Sequence, residues 1–188
     1  GIRIEMIIRE HGLRTEFPGE VQSQAAGIRL DVDESLRGDP LRRDIRERFT
    51  FTIDPVDARD FDDAISIEHV EDLVRLGVHI ADVSHYVRPG TEMDREARER
   101  GNSVYLADRV LPMLPERLSN GICSLKEGVD RLVKSVFITF SKRGQIKHYE
   151  FSESVIRSCK RLTYKQALAL MEGADEIPPN PFAYKMDR

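Results

Sequence analysis

The chain has little cysteine, no long apolar run, no internal repeat and no overall excess of positive charge. Each scarcity closes off a class of protein. Cys123 and Cys159 match no zinc spacing and cannot build a disulfide framework, so both read as reduced, partly buried thiols without a functional role. No stretch approaches the roughly 18 uninterrupted apolar residues of a membrane span. Gly1 to Glu5 also lack the basic region leading into an apolar one that marks a secretory leader. A cytoplasmic location with no membrane partner is the expectation. A formal net charge of −4 argues against binding nucleic acid through bulk charge alone. The 40% hydrophobic content over 188 residues suits one ordinary core, or one compact domain with an appendage.

What is present is unevenly placed. Residues 126–165 carry ten Lys or Arg against four acids, a basic region that is most simply a solvated face. Ahead of it, Asp54, Asp60, Asp62 and Asp63 crowd the run from Thr52 to Ala64, between two apolar segments. Two ionised carboxylates about 4 Å apart repel by roughly 4 kcal/mol at an effective dielectric near 20. Convergence therefore calls for protonation or for a cation, and a hard, oxygen-loving ion such as Mg²⁺ removes the conflict.

One or two direct carboxylates per Mg²⁺ suffice, because the ion keeps waters and accepts phosphate oxygens. Four acids can thus serve a two-metal phosphodiesterase, which needs no serine or cysteine nucleophile. An EF-hand is excluded, because counting from Asp54 its glycine and glutamate positions hold Arg59 and Ile65. A covalent aspartyl phosphate does not explain four carboxylates. A turn of solvated Asx motifs stays open, since pattern alone does not decide against it.

The local signals predict an α+β fold with a mixed sheet and flanking helices. Apolar residues at 4, 7 and 8 with a stop at Gly12 give a short first helix, and residues 20–26 a second ended by Gly27. The polar stretch Asp31 to Glu47 reads as an extended connector, with a boundary near residue 48. Residues 49–53, 64–68 and 73–80 have the β-branched, alternating character of strands, which places the aspartates in a strand connection. Thr91 can cap a helix running to Arg100 with Gly101 as its stop. Residues 133–141 and 145–157 form a hairpin around Lys142-Arg143-Gly144. Thr163 and Gln166 make a capping box ahead of a last helix, and Ile177 to Pro181 continues neither helix nor central strand.

Taken in order over residues 49–171, several motifs now converge. Thr52-Ile53-Asp54-Pro55, Asp60-Phe61-Asp62-Asp63-Ala64, His79-Ile80-Ala81-Asp82-Val83-Ser84, Tyr86-Val87, Asp94-Arg95-Glu96-Ala97 and Ser103-Val104-Tyr105-Leu106 come first. Pro112 to Pro115, Leu118 to Leu125 and Arg161-Leu162-Thr163-Tyr164 follow. Together they resemble the catalytic domain of the ribonuclease II and ribonuclease R family, the RNB domain, with the bacterial ribonuclease R branch the nearer likeness.

That resemblance implies a processive 3′→5′ exoribonuclease that hydrolyses single-stranded RNA to 5′-nucleoside monophosphates with Mg²⁺. Asp54, Asp60, Asp62 and Asp63 fall on the four acidic positions without departure in type or spacing. By analogy Asp54 and Asp63 bind metal most directly, Asp62 is most essential to the chemical step, and Asp60 completes the site. Tyr105 matches the tyrosine that packs on a terminal base; a strand residue packed in the core is the plain alternative. His79 and His85 read as structural or peripheral, and Asp82 as either an orienting partner of a ligand or a hydrogen-bonded loop acid.

The resemblance also implies more chain than is here. The family's later catalytic segment, with an arginine-rich stretch and an acidic residue holding the RNA end, is not found, nor are the flanking cold-shock and S1 RNA-binding domains. Residues 1–48 are then a linker or the tail of an upstream RNA-binding module, and residues 49–188 the N-terminal part of a truncated catalytic domain. A fragment without its cationic clamp is expected to be nearly inactive alone. A catalytically silent RNA-binding or assembly module, and a DNA-directed metal nuclease, are the competing readings.

Overall fold

In the computed structural model the described residues are 2–174. Helices α1 (Ile2–Glu10), α2 (Gly19–Gly27) and α3 (Val32–Gly38) precede strands β1 (Arg43–Asp44), β2 (Thr50–Asp54), β3 (Asp63–Val70) and β4 (Leu73–Ala81). A short turn α4 (Val83–Tyr86), helix α5 (Glu92–Arg100), strands β5 (Val104–Tyr105) and β6 (Val110–Leu111) and a wide helical turn over Arg117–Ile122 come next. Strands β7 (Asp130–Ser141), β8 (Ile146–Arg157) and β9 (Lys160–Thr163) then lead into α6 (Tyr164–Met171). Among the described residues two compact units result: those up to Leu30 with Val83–Ile122, and Asp31–Asp82 with those from Cys123 to Ala174.

The first unit is helical apart from the small β5–β6 ribbon. Thr91 caps α5 by accepting from the Asp94 amide, and Gly101, at φ +76°, ends it in a conformation that glycine adopts without steric penalty. Helix α2 packs on α5 through Val21, Ala25 and Met93, all buried. The guanidinium of Arg100 lies 3.8 Å from the centre of the Phe17 ring and donates to the Glu16 carbonyl at 2.6 Å.

The second unit is a seven-stranded mixed sheet in the order β1-β8-β7-β4-β3-β2-β9. Its inner pairs are antiparallel, whereas β1 on β8 and β9 on β2 are parallel. The long β7–β8 hairpin turns at Gly144, φ +73°. Side chains alternate between faces, and the buried face is partly polar: Thr50, Thr52 and Asp54 of β2, Ser66 of β3, His79 of β4 and Ser135 of β7 lie there among Ala64, Val133 and Phe137. The opposite face exposes Ile67, Ile80, Tyr149 and Phe151.

His79 is fully buried, as its structural reading requires. Its Nε2 lies 3.0 Å from Ser66 Oγ and its Nδ1 2.8 Å from Ser135 Oγ, so a neutral imidazole is satisfied in either tautomer. Burial, and then the charge of Arg48, pushes its pKa down to about 4. Gly77 makes the room, because a Cβ there would sit 2.3 Å from Ser66 Oγ and 2.8 Å from His79 Nε2.

One expectation is corrected. The stretch Asp31 to Glu47 is not an extended connector: it folds as α3 and β1 within the sheet unit. The Asp31 carboxylate accepts from the Glu34 amide at 2.7 Å, with Asp33 and Glu34 in the first turn and Arg37 in the last, so cap and dipole both favour a helix. Strand β1 then pairs Arg43 with Ser154 and Asp44 with Val155. The proline-rich stretch Ile177 to Pro181 lies outside the described residues.

Candidate active site

The four aspartates gather at one end of this sheet, and the strands explain how. Asp54 is the last residue of β2 and Asp63 the first of β3, with Asp60 and Asp62 in the loop between. Strands β2 and β3 pair Thr50 with Ser66 and Phe51 with Ile65. Beyond that point β2 is held on its other side, through Asp54 opposite Thr163, the residue that caps α6 with the reciprocal Thr163–Gln166 box. The loop is therefore free to open at the sheet's end.

Loop 55–62 is pinned at several places. Ser124, fully buried, accepts from the Phe61 amide at 3.1 Å and donates to the Arg59 carbonyl at 2.7 Å. The Leu125 amide donates to the Phe61 carbonyl at 2.8 Å, and the Ala81 amide to the Asp62 carbonyl at 2.9 Å. From β9, Arg161 donates to the carbonyls of Pro55 and Val56 at 3.0 and 2.9 Å, and its guanidinium lies 5.0 Å from the centre of the buried Phe61 ring. The acids are thus mounted on ordered backbone, and a turn of merely solvated Asx motifs does not describe them.

Electrostatically the cluster is strained. The Asp54 carboxyl is buried and its Oδ2 has no hydrogen-bond partner. Burial raises its pKa, the charges of Asp63 and Asp60 add to the rise, and the Thr52 hydroxyl and Arg161 oppose it. Asp62 reaches solvent, yet its carboxyl is partly desolvated; that desolvation, followed by Asp60, Asp63 and Asp54, raises its pKa too. Asp60 is half-buried and Asp63 exposed. Strand alternation places Asp63 on the Ile65 face and Asp54 on the Thr50 face, so the two carboxylates meet around the end of the sheet.

These observations bear on Mg²⁺. Among the described residues no group of three or more His, Cys, Asp or Glu is placed to hold a metal ion, so a closed all-protein cage is absent there. A hydrated ion held by one or two carboxylates fits: it would satisfy the orphaned Asp54 oxygen and neutralise the mutual repulsion.

The other predicted residues fall as follows. Tyr105 lies on β5 in the helical unit and is 66% exposed, which rules out the core-packed alternative. Asp82 is buried in an ion pair with Arg42, 3.0 Å apart, and Arg42 also bonds Glu153 at 2.7 Å. His85 stacks edge-on against Tyr86. Cys123 is buried and its thiol is pushed up to about 12, mainly by burial, whereas Cys159 is exposed rather than partly buried. The basic region is solvated, as expected, with Lys126, Arg143, Lys147 and Lys165 exposed, and part of its charge is paired. Arg157 bonds Asp130 at 2.5 Å, Lys134 bonds Glu153 at 2.6 Å, Lys142 pairs with Asp72, and Arg131 bonds the Ser124 carbonyl at 2.8 Å. Ser124 and Arg161 carry the site's geometry, although in sequence they appear only as members of motifs.

Comparison with known proteins follows the same residues. The family model described as RNB domain matches residues 42–187. Ribonuclease R of Aquifex aeolicus is 48% identical over 174 residues, covering 92% of this chain and 24% of that protein. Ribonuclease R of Escherichia coli is 44% identical over 178 residues, covering 94% of this chain and 22% of that protein. Among solved structures, Mycoplasma genitalium RNase R in complex with ribose-methylated single-stranded RNA superposes with a TM-score of 0.87 at 33% identity, over 93% of this chain and 27% of that one. The chain thus spans about a quarter of the length of these relatives. Among the described residues, no helix is long and apolar enough to cross a membrane.

Proposed function

The chain belongs to the RNB-domain family, and from that membership we propose that it is the N-terminal part of the catalytic domain of a longer, cytoplasmic, Mg²⁺-dependent exoribonuclease. The parent degrades single-stranded RNA processively, 3′→5′, to 5′-nucleoside monophosphates. The observation that carries this reading is the acidic sheet end, where burial and then the neighbouring acids raise the proton affinity of Asp54 and Asp62, and Asp54 keeps a buried oxygen unpaired.

Asp54 and Asp63 hold the metal most directly, Asp60 completes the acidic site, and Asp62 is most essential to the chemical step. Bound Mg²⁺ supplies Lewis-acid activation of water and charge neutralisation at the phosphate. This chain's own contribution is to fix those carboxylates on backbone held by Ser124, Leu125 and Ala81. Tyr105 offers an exposed ring on which a terminal base of any identity can stack, worth roughly 1–3 kcal/mol per base. Because Asp31 to Glu47 belongs to the sheet unit, the parent's upstream cold-shock module precedes that stretch, and an S1 domain lies downstream.

The test uses the full-length parent and its Asp62→Asn variant with 3′- and 5′-labelled single-stranded RNA and matched DNA, in Mg²⁺ or EDTA. Stepwise 3′ shortening of RNA, lost in EDTA and in the variant, is the expected result. Binding without cleavage would instead support a silent RNA-binding module, and equal cleavage of DNA would move the reading to a general metal nuclease. The isolated 188-residue chain should release nucleotides several powers of ten more slowly than the parent.

A further inference from the structure

The Arg161 side chain touches both ends of the acidic loop. Its Nη2 bonds the Pro55 and Val56 carbonyls immediately after Asp54, and its guanidinium covers the ring of Phe61, which stands between Asp60 and Asp62. Its own position is fixed from behind. Strand β9 pairs Arg161 with Thr52, and its amide donates to Glu127 Oε2 at 2.9 Å.

We propose that Arg161 is a positioning residue for the metal-binding carboxylates: by joining the exit of β2 to Phe61 it sets the separation between Asp54 and the Asp60–Asp63 group. The inference rests on the reading of that cluster as a Mg²⁺ site. Guanidinium chemistry suits the task. A planar fork can donate to two successive carbonyls while its face covers an aromatic ring, whereas an ammonium is a point donor with no face to stack. The positive charge also opposes the raised proton affinity of Asp54. Residues that orient ligands from behind typically change metal affinity or activity by 10–100-fold when removed.

The role predicts a particular signature. With the clamp gone the carboxylates are still present but no longer held at one spacing, so metal affinity and turnover fall while RNA affinity does not. A residue that instead gripped a phosphate would raise KM and flatten the salt dependence of binding, leaving metal affinity alone.

The experiment compares the full-length parent with Arg161→Ala, Arg161→Lys and the neighbouring control Lys160→Ala. Mn²⁺ affinity is read by calorimetry without RNA, kcat and KM across a Mg²⁺ titration, and folding by thermal denaturation. Both Arg161 variants should bind Mn²⁺ about 10–100-fold more weakly and lose kcat by a similar factor, with KM within about twofold and partial recovery at high Mg²⁺. Lys160→Ala should match the wild type. Unchanged metal affinity in a folded Arg161→Lys, or a loss confined to KM, overturns the assignment. If Arg161→Ala fails to fold, the charge-preserving Lys variant decides. Should the wild type leave RNA intact while the Arg161 variants still weaken Mn²⁺ binding, the nuclease reading falls and the positioning role stands.

Discussion

One sheet carries two polar sites built in opposite ways. In its interior, His79 sits between Ser66 and Ser135 with both ring nitrogens bonded and with space cleared by Gly77. At its end, Asp54 and Asp62 sit among other acids, one with an unpaired buried oxygen and both with raised proton affinity. Burying a polar group is tolerable when partners are supplied and unfavourable when they are not. A satisfied cluster needs nothing further and serves the fold, whereas an unsatisfied one, held rigidly, still lacks a partner, and the proposed Mg²⁺ would supply it. The presence of histidine or of aspartate is thus less informative than whether the surrounding chain completes it.

The comparison breaks most visibly under substitution. In the full-length parent, Asp62→Asn should lower RNA turnover by about three powers of ten or more, because it deletes charge where phosphate chemistry needs it. The same variant should fold at least as well as the wild type. His79→Gln should do the reverse, leaving turnover per folded molecule near wild type and weakening the fold. Steady-state rates normalised to the folded fraction by circular dichroism separate the two.

Acid sharpens the contrast next. The native pKa of His79, about 4, lies below an unfolded value near 6.5. The unfolded chain therefore takes up the proton first, and stability that is fully present above pH 6.5 is lost as pH falls towards 4, by about 3 kcal/mol at most. Asp54 and Asp62, with raised native pKa values, act with the opposite sign: their protonation favours the native state as pH falls. Urea unfolding of wild type and His79→Gln across this window should give curves that converge as pH falls. Parallel curves would show that His79 is not held neutral.

Gly77→Ala ranks below that. A methyl group 2.3 Å from Ser66 Oγ and 2.8 Å from His79 Nε2 must push the bonded pair apart. Overpacking of this kind destabilises by about 1–3 kcal/mol, and the loss should appear in thermal melts without a change in metal affinity.

The interior of the sheet was more legible in sequence than the site was. Residues 133–141 and 145–157 announce their hairpin through local alternation and a glycine turn, and Thr163 with Gln166 announces a cap, because those signals act over a few residues. The four acids were legible as a group for the same reason. Helix α3 was also signalled locally, by Asp31, but Gly38 and Pro40 hid it among loop residues. What holds the acids was not legible. Ser124 meets Phe61 across 63 positions, and Arg161 meets Pro55 across 106. The parallel pairing of β9 with β2 is equally remote, and no periodicity encodes it. Exposure of Tyr105 likewise depends on its two-residue ribbon with β6, too short for a sequence pattern to define.

The smallest expected effect is the most diagnostic of the difference between the two sites. Asp54→Asn keeps the shape of the side chain and removes a charge that is buried, unpaired on Oδ2 and repelled by Asp63 and Asp60. In EDTA at neutral pH the full-length variant should therefore melt about 1–3 °C above the wild type, whereas almost any polar substitution in the His79 cluster lowers the melting temperature. Added Mg²⁺ should reverse the order. A ligand that binds only the native state stabilises it in proportion to the logarithm of its concentration over Kd, and the variant has lost a ligand. A wild type that is already the more stable in EDTA would mean that Asp54 finds a partner in solution, and the acidic end would then belong with the satisfied interior rather than opposite it.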